Sequence, residues 1–107
     1  MSKPAFFIFD AIVHDFAAMK PYMEQVEATY QPFGGQLLVR GGSLEIIEGQ
    51  GPQGQLIILQ FPSLEAAHAW HASAEYQAIL AHRLSAATTH AWLAEGLSLA
   101  PHAELTV

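Results

Sequence analysis

Two short runs, Phe6-Phe7-Ile8-Phe9 and Leu56-Ile57-Ile58-Leu59, constrain the fold of this chain more than any other feature. Side chains alternate across a strand, so four consecutive apolar residues place apolar groups on both faces of a sheet at once. A sheet built from such strands must be covered on both sides. The chain has 107 residues, enough for one domain over 1–107 with a single modest core. Its helical segments suffice to cover one sheet face. A second copy of the chain is the economical cover for the other, giving an interface that resembles a domain core cut in half, as obligate homodimers show. Composition agrees: 51% of the residues are hydrophobic and 13% charged, which is apolar for so small a domain.

The remaining elements follow from period and punctuation. Phe6 to Val13 reads as the first strand, and Asp15 behind it can cap a helix. Phe16, Met19, Met23, Val26 and Tyr30 recur at intervals of three and four, one helical face. Pro21 removes one helical hydrogen bond, so the helix either starts there or kinks through its first turn, and Pro32 with Gly34-Gly35 ends it. Gln36 to Arg40 and Leu44 to Glu48 flank Gly41-Gly42 as the two arms of a hairpin. Gln50 to Gly54 is a loop, and Leu56 to Phe61 is a strand ended by Pro62. Ser63 can cap a helix through Trp70, Ser73 or Ala74 opens another to about Ala87, and His90 to Leu97 reads as the final strand. With the third strand beginning after the glycine loop and the hairpin's second arm, Leu44 to Glu48, as an edge piece, the order βαββαβ predicts an α+β, ferredoxin-like fold.

Charge and composition exclude several classes. The formal net charge is −6, with Lys3, Lys20, Arg40 and Arg83 as the lasting cations. Such a surface repels a phosphate backbone, so no nucleic-acid partner is expected. No basic amphipathic helix or apolar run approaching 18 residues suggests a membrane. The short apolar stretch before Asp10 has neither the length nor the cleavage site of a signal peptide, and a cytoplasmic location is expected. Cysteine is absent, which removes disulfides, thiolate catalysis and sulfur-ligated zinc. No cofactor signature is present: the glycines do not open a helix backed by lysine or threonine, and the serines lack a nucleophile elbow.

The segments FGGQLLVRGG (Phe33 to Gly42), FPSLEAAHAW (Phe61 to Trp70) and SAEYQ (Ser73 to Gln77) resemble the domain-of-unknown-function 1330 family from about Phe7 to about Leu97. The resemblance implies ferredoxin-like subunits that pair into a dimeric α+β barrel. Arg40, in the VRGG segment, and Arg83, seven residues after Tyr76, both match the family pattern. His71 stands where relatives often carry tyrosine. After Glu48-Gly49, where relatives often show an aromatic residue and then an arginine, this chain has Gln50-Gly51-Pro52 and Gly54-Gln55, so charge and stacking have been lost from that loop.

Candidate chemistry is sparse. Asp10 shares strand parity with Phe6, Ile8 and Ile12, which puts a carboxylate on an otherwise apolar face. It is a candidate catalytic base, or else a rim carboxylate or an arginine's partner. His14, at the exit of the first strand, is a second candidate base, or a cap. Tyr76, Ile79, Leu80 and Arg83 share one helical face. An arginine ending such a stripe can clamp a ligand carboxylate, or pair with Glu45, Glu48 or a neighbour's acid. Arg40, His71, Tyr76 and Arg83 are therefore candidate ligand-binding residues. Trp70, Tyr76 and Trp92 fit core positions better than a cofactor box. His68 and His71 are three apart on one helix, but no third ligand stands at diagnostic spacing, so no metal is expected.

Two functions fit these residues. In one, a cleft between sheet and helices binds a small organic molecule and supports cofactor-independent isomerase, dehydratase or oxygenase-type chemistry. In the other, the protein is a noncatalytic dimeric binding or regulatory module.

Overall fold

The structure, a computed structural model, describes residues 3–98. In chain order the elements are β1 (Ala5–Val13), α1 (Phe16–Tyr30), a 3-10 turn (Gln31–Phe33), β2 (Gln36–Arg40), β3 (Gln55–Phe61), α2 (Leu64–Ala72), α3 (Ala74–Ala86) and β4 (Ala87–Glu95). The strands form one antiparallel sheet in the order β2-β3-β1-β4, the ferredoxin-like α+β arrangement. The two runs that are apolar on both faces lie in β1 and β3, the two central strands.

Register sorts the side chains onto two faces. Phe7 pairs with Leu59 and Leu93, and Ile8 pairs with Ile58 and Trp92. The face carrying Phe7, Phe9, Leu59 and Phe61 is buried under the helices together with Met19, Tyr22, Trp70, Tyr76 and Ile79. Phe61, Trp70 and Tyr76 are the largest fully buried side chains. Phe61 stacks on Trp70 at 5.3 Å, with Tyr76 4.1 Å from Trp70 on its other contact. Truncating an aromatic in such a cluster to alanine typically costs roughly 3–5 kcal/mol. On the opposite face Phe6, Ile8, Ile12 and Ile58 are only half-buried, and Trp92 is 53% exposed. Trp92 is thus not in the core, because its parity on β4 points it away from the helices.

Caps fix the helix starts. Asp15 accepts from the Ala18 amide, Ser63 from Ala66 and Ser73 from Tyr76, each satisfying an otherwise unpaired N–H of a first turn. Pro21 sits inside one continuous helix, and Gln25 Nε2 donates to its carbonyl at 2.9 Å. The buried stripe of α1 is Met19, Tyr22, Thr29 and Tyr30, with Val26 half-buried, whereas Phe16 and Met23 are exposed.

The proposed hairpin does not form. Residues 43–47 adopt no strand, and β2 pairs instead with β3 through Gln36↔Gln60 and Leu37↔Leu59. Gly41 and Gly42 both have positive φ, 63° and 79°, and the Gly41 amide bonds to the Leu56 carbonyl. The reversal therefore releases the chain after β2, and the more apolar Leu56–Phe61 run takes the pairing edge. β4 begins at Ala87, three residues earlier than its sequence suggests, because the extended backbone starts directly at the C-cap of α3. Among the described residues no helix is long and apolar enough to cross a membrane.

Candidate functional site

Where α1 passes over the sheet it leaves a cavity of about 390 Å³, within the range of roughly 300–1,000 Å³ typical of small-molecule clefts. Its walls are largely apolar, among them Phe9, Val13, Met19, Val26, Leu37 and Ile57. Two kinds of polar group line it. Tyr22, Arg83 and Thr89 are buried or half-buried, while Glu24, Glu27, Arg40 and Gln55 are exposed and form its rim.

Arg83 is the unusual member. It lies in the last turn of α3 and is only 7% exposed, yet no carboxylate pairs with it among the described residues. Its side-chain contacts are one long hydrogen bond from Nη2 to the Tyr76 hydroxyl, 3.3 Å, and the ring faces of Phe9 and Tyr22, each 5.6 Å from the guanidinium carbon. The Nε–H has no hydrogen-bond partner among the described residues. Burial works against its charge, and the neighbouring hydroxyls of Tyr76 and Tyr22 more than offset that, so the guanidinium stays ionised. Burying an uncompensated ion typically costs several kcal/mol; cation–π contacts return a part of this, and the helix carbonyl end returns another fraction. Thr89, on β4, lines the same cavity, and its Oγ1 is the second buried side-chain polar atom without a partner among the described residues.

Tyr22 and Tyr76 share a 2.8 Å hydrogen bond between hydroxyls that come from α1 and α3. Burial first, and then the neighbouring Tyr76, pushes the Tyr22 phenol well above its usual range, against a weaker opposite pull from Arg83. Tyr22 is therefore a neutral donor and acceptor at any physiological pH. Tyr76 is held from behind by Trp70, whose indole Nε1 donates to Thr29 Oγ1 at 3.0 Å. His71 stacks on Phe7 at 5.8 Å and lies 5.5 Å from the Tyr76 ring. Desolvation, then the Arg83 charge and His68, lowers its pKa, so it acts as a neutral buttress of Tyr76 near pH 7. At the rim, burial followed by the Glu27 carboxylate raises the Tyr30 phenol, while Arg40 pulls the other way.

The two candidate bases lie elsewhere. Asp10 projects from the face of β1 opposite the helices and is 7% exposed. Its carboxylate oxygens accept from the backbone amides of Gln53, 3.0 Å, and Gly54, 2.7 Å. It anchors the foot of the loop between β2 and β3. At Gly54 a side chain would run into the Ala11 carbonyl and the Ile12 side chain, so glycine is what lets the loop approach the Asp10 carboxylate. His14 is exposed beyond the end of β1, its Nε2 2.6 Å from Thr88 Oγ1. Neither residue lines the cavity.

The structure thus brings together Arg83, Tyr76 and, behind them, His71, sets Arg40 on the rim, and places Asp10 and His14 outside. Tyr22 and Thr89 escaped the sequence reading. Tyr22 was legible, since it falls three residues after Met19 and four before Val26 on the helical period. Thr89 had no signal, because an isolated strand threonine is ordinarily solvated. Among the described residues no three His, Asp or Glu side chains converge in a way that could hold a metal ion.

Solved structures share this fold at low identity. A protein of unknown function from Rhodopseudomonas palustris, RPA0582, superposes with a TM-score of 0.72 at 15% identity, covering 92% of this chain and 85% of that one. SnoaB, a cofactor-independent oxygenase from Streptomyces nogalater, gives 0.62 at 11% identity over 91% and 96% of the two chains. HapK from Hahella chejuensis gives 0.58 at 14% identity over 87% and 92%. At such identities the likeness is one of fold. No curated protein matches this chain significantly. The family model described as Domain of unknown function (DUF1330) matches residues 4–97, and the chain belongs to that family.

Proposed function

We propose that this protein binds a small organic molecule in the cleft between α1 and the sheet, with an apolar body against Phe9, Met19, Val26 and Ile57 and a polar end at Arg83 and Tyr22. One observation carries this reading: Arg83 and Thr89, whose side chains each hold a buried polar atom without a partner among the described residues, both line one largely apolar cavity. Native proteins rarely leave such atoms unpaired, and those they do leave tend to mark functional positions. Tyr76 orients Tyr22 and Arg83, His71 supports Tyr76, and Arg40 serves the rim. The same proposal has two copies pairing through the half-buried face of Phe6, Ile8, Ile58 and Trp92, as a dimeric α+β barrel.

Chemistry in the cleft without a cofactor, of isomerase, dehydratase or oxygenase type, remains within this proposal, with SnoaB as a fold-level analogy only. A noncatalytic binding role is favoured by a specific observation: Asp10 and His14, the expected bases, do not line the cleft, and both oxygens of Asp10 already hold the loop. The test is occupancy. Leu37, on the edge strand β2 and 36% exposed, lines the cavity, so Leu37→Trp should fill it while leaving the fold intact. Small aromatic and aliphatic ligands detected by isothermal titration on the wild type should lose affinity at least about tenfold in this variant. Undiminished binding would place the ligand site elsewhere.

A further inference from the structure

We propose that the occupant of the cleft is an organic monoanion, a carboxylate with a compact aromatic or aliphatic body, and that its head group supplies the counter-charge of Arg83. This rests on the cleft being a ligand site and adds what the ligand must carry.

The argument is one of charge and shape. Arg83 is a buried cation whose neighbours are two phenol side chains and a phenyl ring, with no carboxylate among the described residues paired to it. Neutral hydroxyls satisfy part of its hydrogen-bonding capacity but none of its charge, and a guanidinium matches a carboxylate better than any other common organic group. Thr89 lines the same cavity, and its buried Oγ1, without a partner among the described residues, becomes a donor to a carboxylate oxygen once the side chain turns toward the cavity. The Tyr22 hydroxyl, kept protonated by burial and by Tyr76, can donate as well.

The number of charges follows from the rest of the lining. Among the described residues Arg83 is the single buried cation, and the rim adds Arg40 against Glu24 and Glu27. One deep positive charge behind a rim of net negative sign, on a chain of net charge −6, suits one negative charge and opposes two. Phosphate esters and dicarboxylates are thereby disfavoured. The walls between rim and Arg83 are hydrocarbon and aromatic, so the body of the acid is apolar. Arg83 is then the residue that selects the anion over its neutral isostere, which a purely apolar pocket cannot do.

The experiment compares matched pairs differing only in charge: benzoate with benzamide, 2-naphthoate with 2-naphthamide, and octanoate with octanamide. Each is titrated calorimetrically into wild type, Arg83→Met and Thr89→Val at neutral pH. At least one carboxylate should bind the wild type roughly 10- to 100-fold more tightly than its amide, the range expected when a hydrogen-bonded charge gains its partner. Arg83→Met should erase that preference while keeping the amide's affinity within a few fold, and Thr89→Val should weaken the carboxylate by a smaller factor. Amides that bind as tightly as the acids, with Arg83→Met changing neither, would overturn the charge proposal and leave the cleft reading intact. Failure of every member of every pair to bind would overturn the cleft reading itself. Should Arg83→Met not fold, the wild-type preference and its reduction in Thr89→Val decide the matter alone.

Discussion

Among the described residues each face of the sheet buries one acidic or basic side chain, and the two are treated in opposite ways. On the open face, Asp10 is met by two backbone amides from the loop between β2 and β3. On the helix face, Arg83 meets one distant hydroxyl, two aromatic rings and no acid among the described residues. Both are 7% exposed, so burial alone does not separate them. Satisfaction does: the Asp10 carboxylate has an amide on each oxygen and so serves the structure, whereas the Arg83 guanidinium is short of partners among the described residues, which is what the proposed ligand would supply.

The comparison also assigns each face a task. The helix face closes on itself except at the cavity, and the open face leaves Ile8 and Ile58 half-buried and Trp92 exposed, where the proposed second copy would pack. The largest effect should therefore come from charging that face. Ile58→Asp should abolish the proposed homodimer, giving monomer or unfolded protein in analytical ultracentrifugation, because an unpaired carboxylate cannot be desolvated in an apolar interface. A dimer of normal stability would place the interface elsewhere.

Next come the two charges themselves. Asp10→Ala leaves the amides of Gln53 and Gly54 without an acceptor and should cost roughly 2–4 kcal/mol in urea unfolding. Arg83→Met removes a charge that lacks a partner, and the Tyr22–Tyr76 pair still satisfies itself. Stability without ligand should change little or rise by up to about 2 kcal/mol. If Arg83→Met destabilises as strongly as Asp10→Ala, Arg83 is structural and the contrast collapses.

The smallest effect is a pH dependence. The pKa of His71 is lowered from 6.5 by desolvation, then by Arg83 and His68, so the unfolded chain binds the proton more readily than the folded one. The contribution is fully present above about pH 6.5 and is lost as the pH falls through the lower folded-state value. Because His71 is partly exposed, the loss is small, and it should disappear in His71→Phe, compared by urea midpoint at pH 7.5 and pH 5.5. A slope retained in that variant would assign the titration to another group.

How legible this protein was depends on the range over which each feature is decided. The apolar runs of β1 and β3, the caps Asp15, Ser63 and Ser73, and the stripe Tyr76, Ile79, Arg83 are local patterns, and they were readable because period and capping act over a few residues. The arm expected at Leu44 to Glu48 failed for a nonlocal reason: its pairing edge was taken by β3. The stripe Phe16, Met19, Met23, Val26 and Tyr30 and the stripe Met19, Tyr22, Val26 and Tyr30 both obey the helical period, and only the packing of α1 on the sheet buries Tyr22 and leaves Phe16 and Met23 exposed.

By itself, then, the sequence determined the elements, their order and a sheet that is apolar on both faces. What lies opposite each polar side chain was decided only by tertiary structure, through contacts between residues far apart in the chain: 43 residues separate Asp10 from Gln53, and 54 separate Tyr22 from Tyr76. Strand parity told which face Asp10 would occupy but not that a loop would arrive to satisfy it. Helical period told that Arg83 would turn inward but not that no acid would follow. Whether a buried charge is held or left waiting depends on what the rest of the fold brings to it.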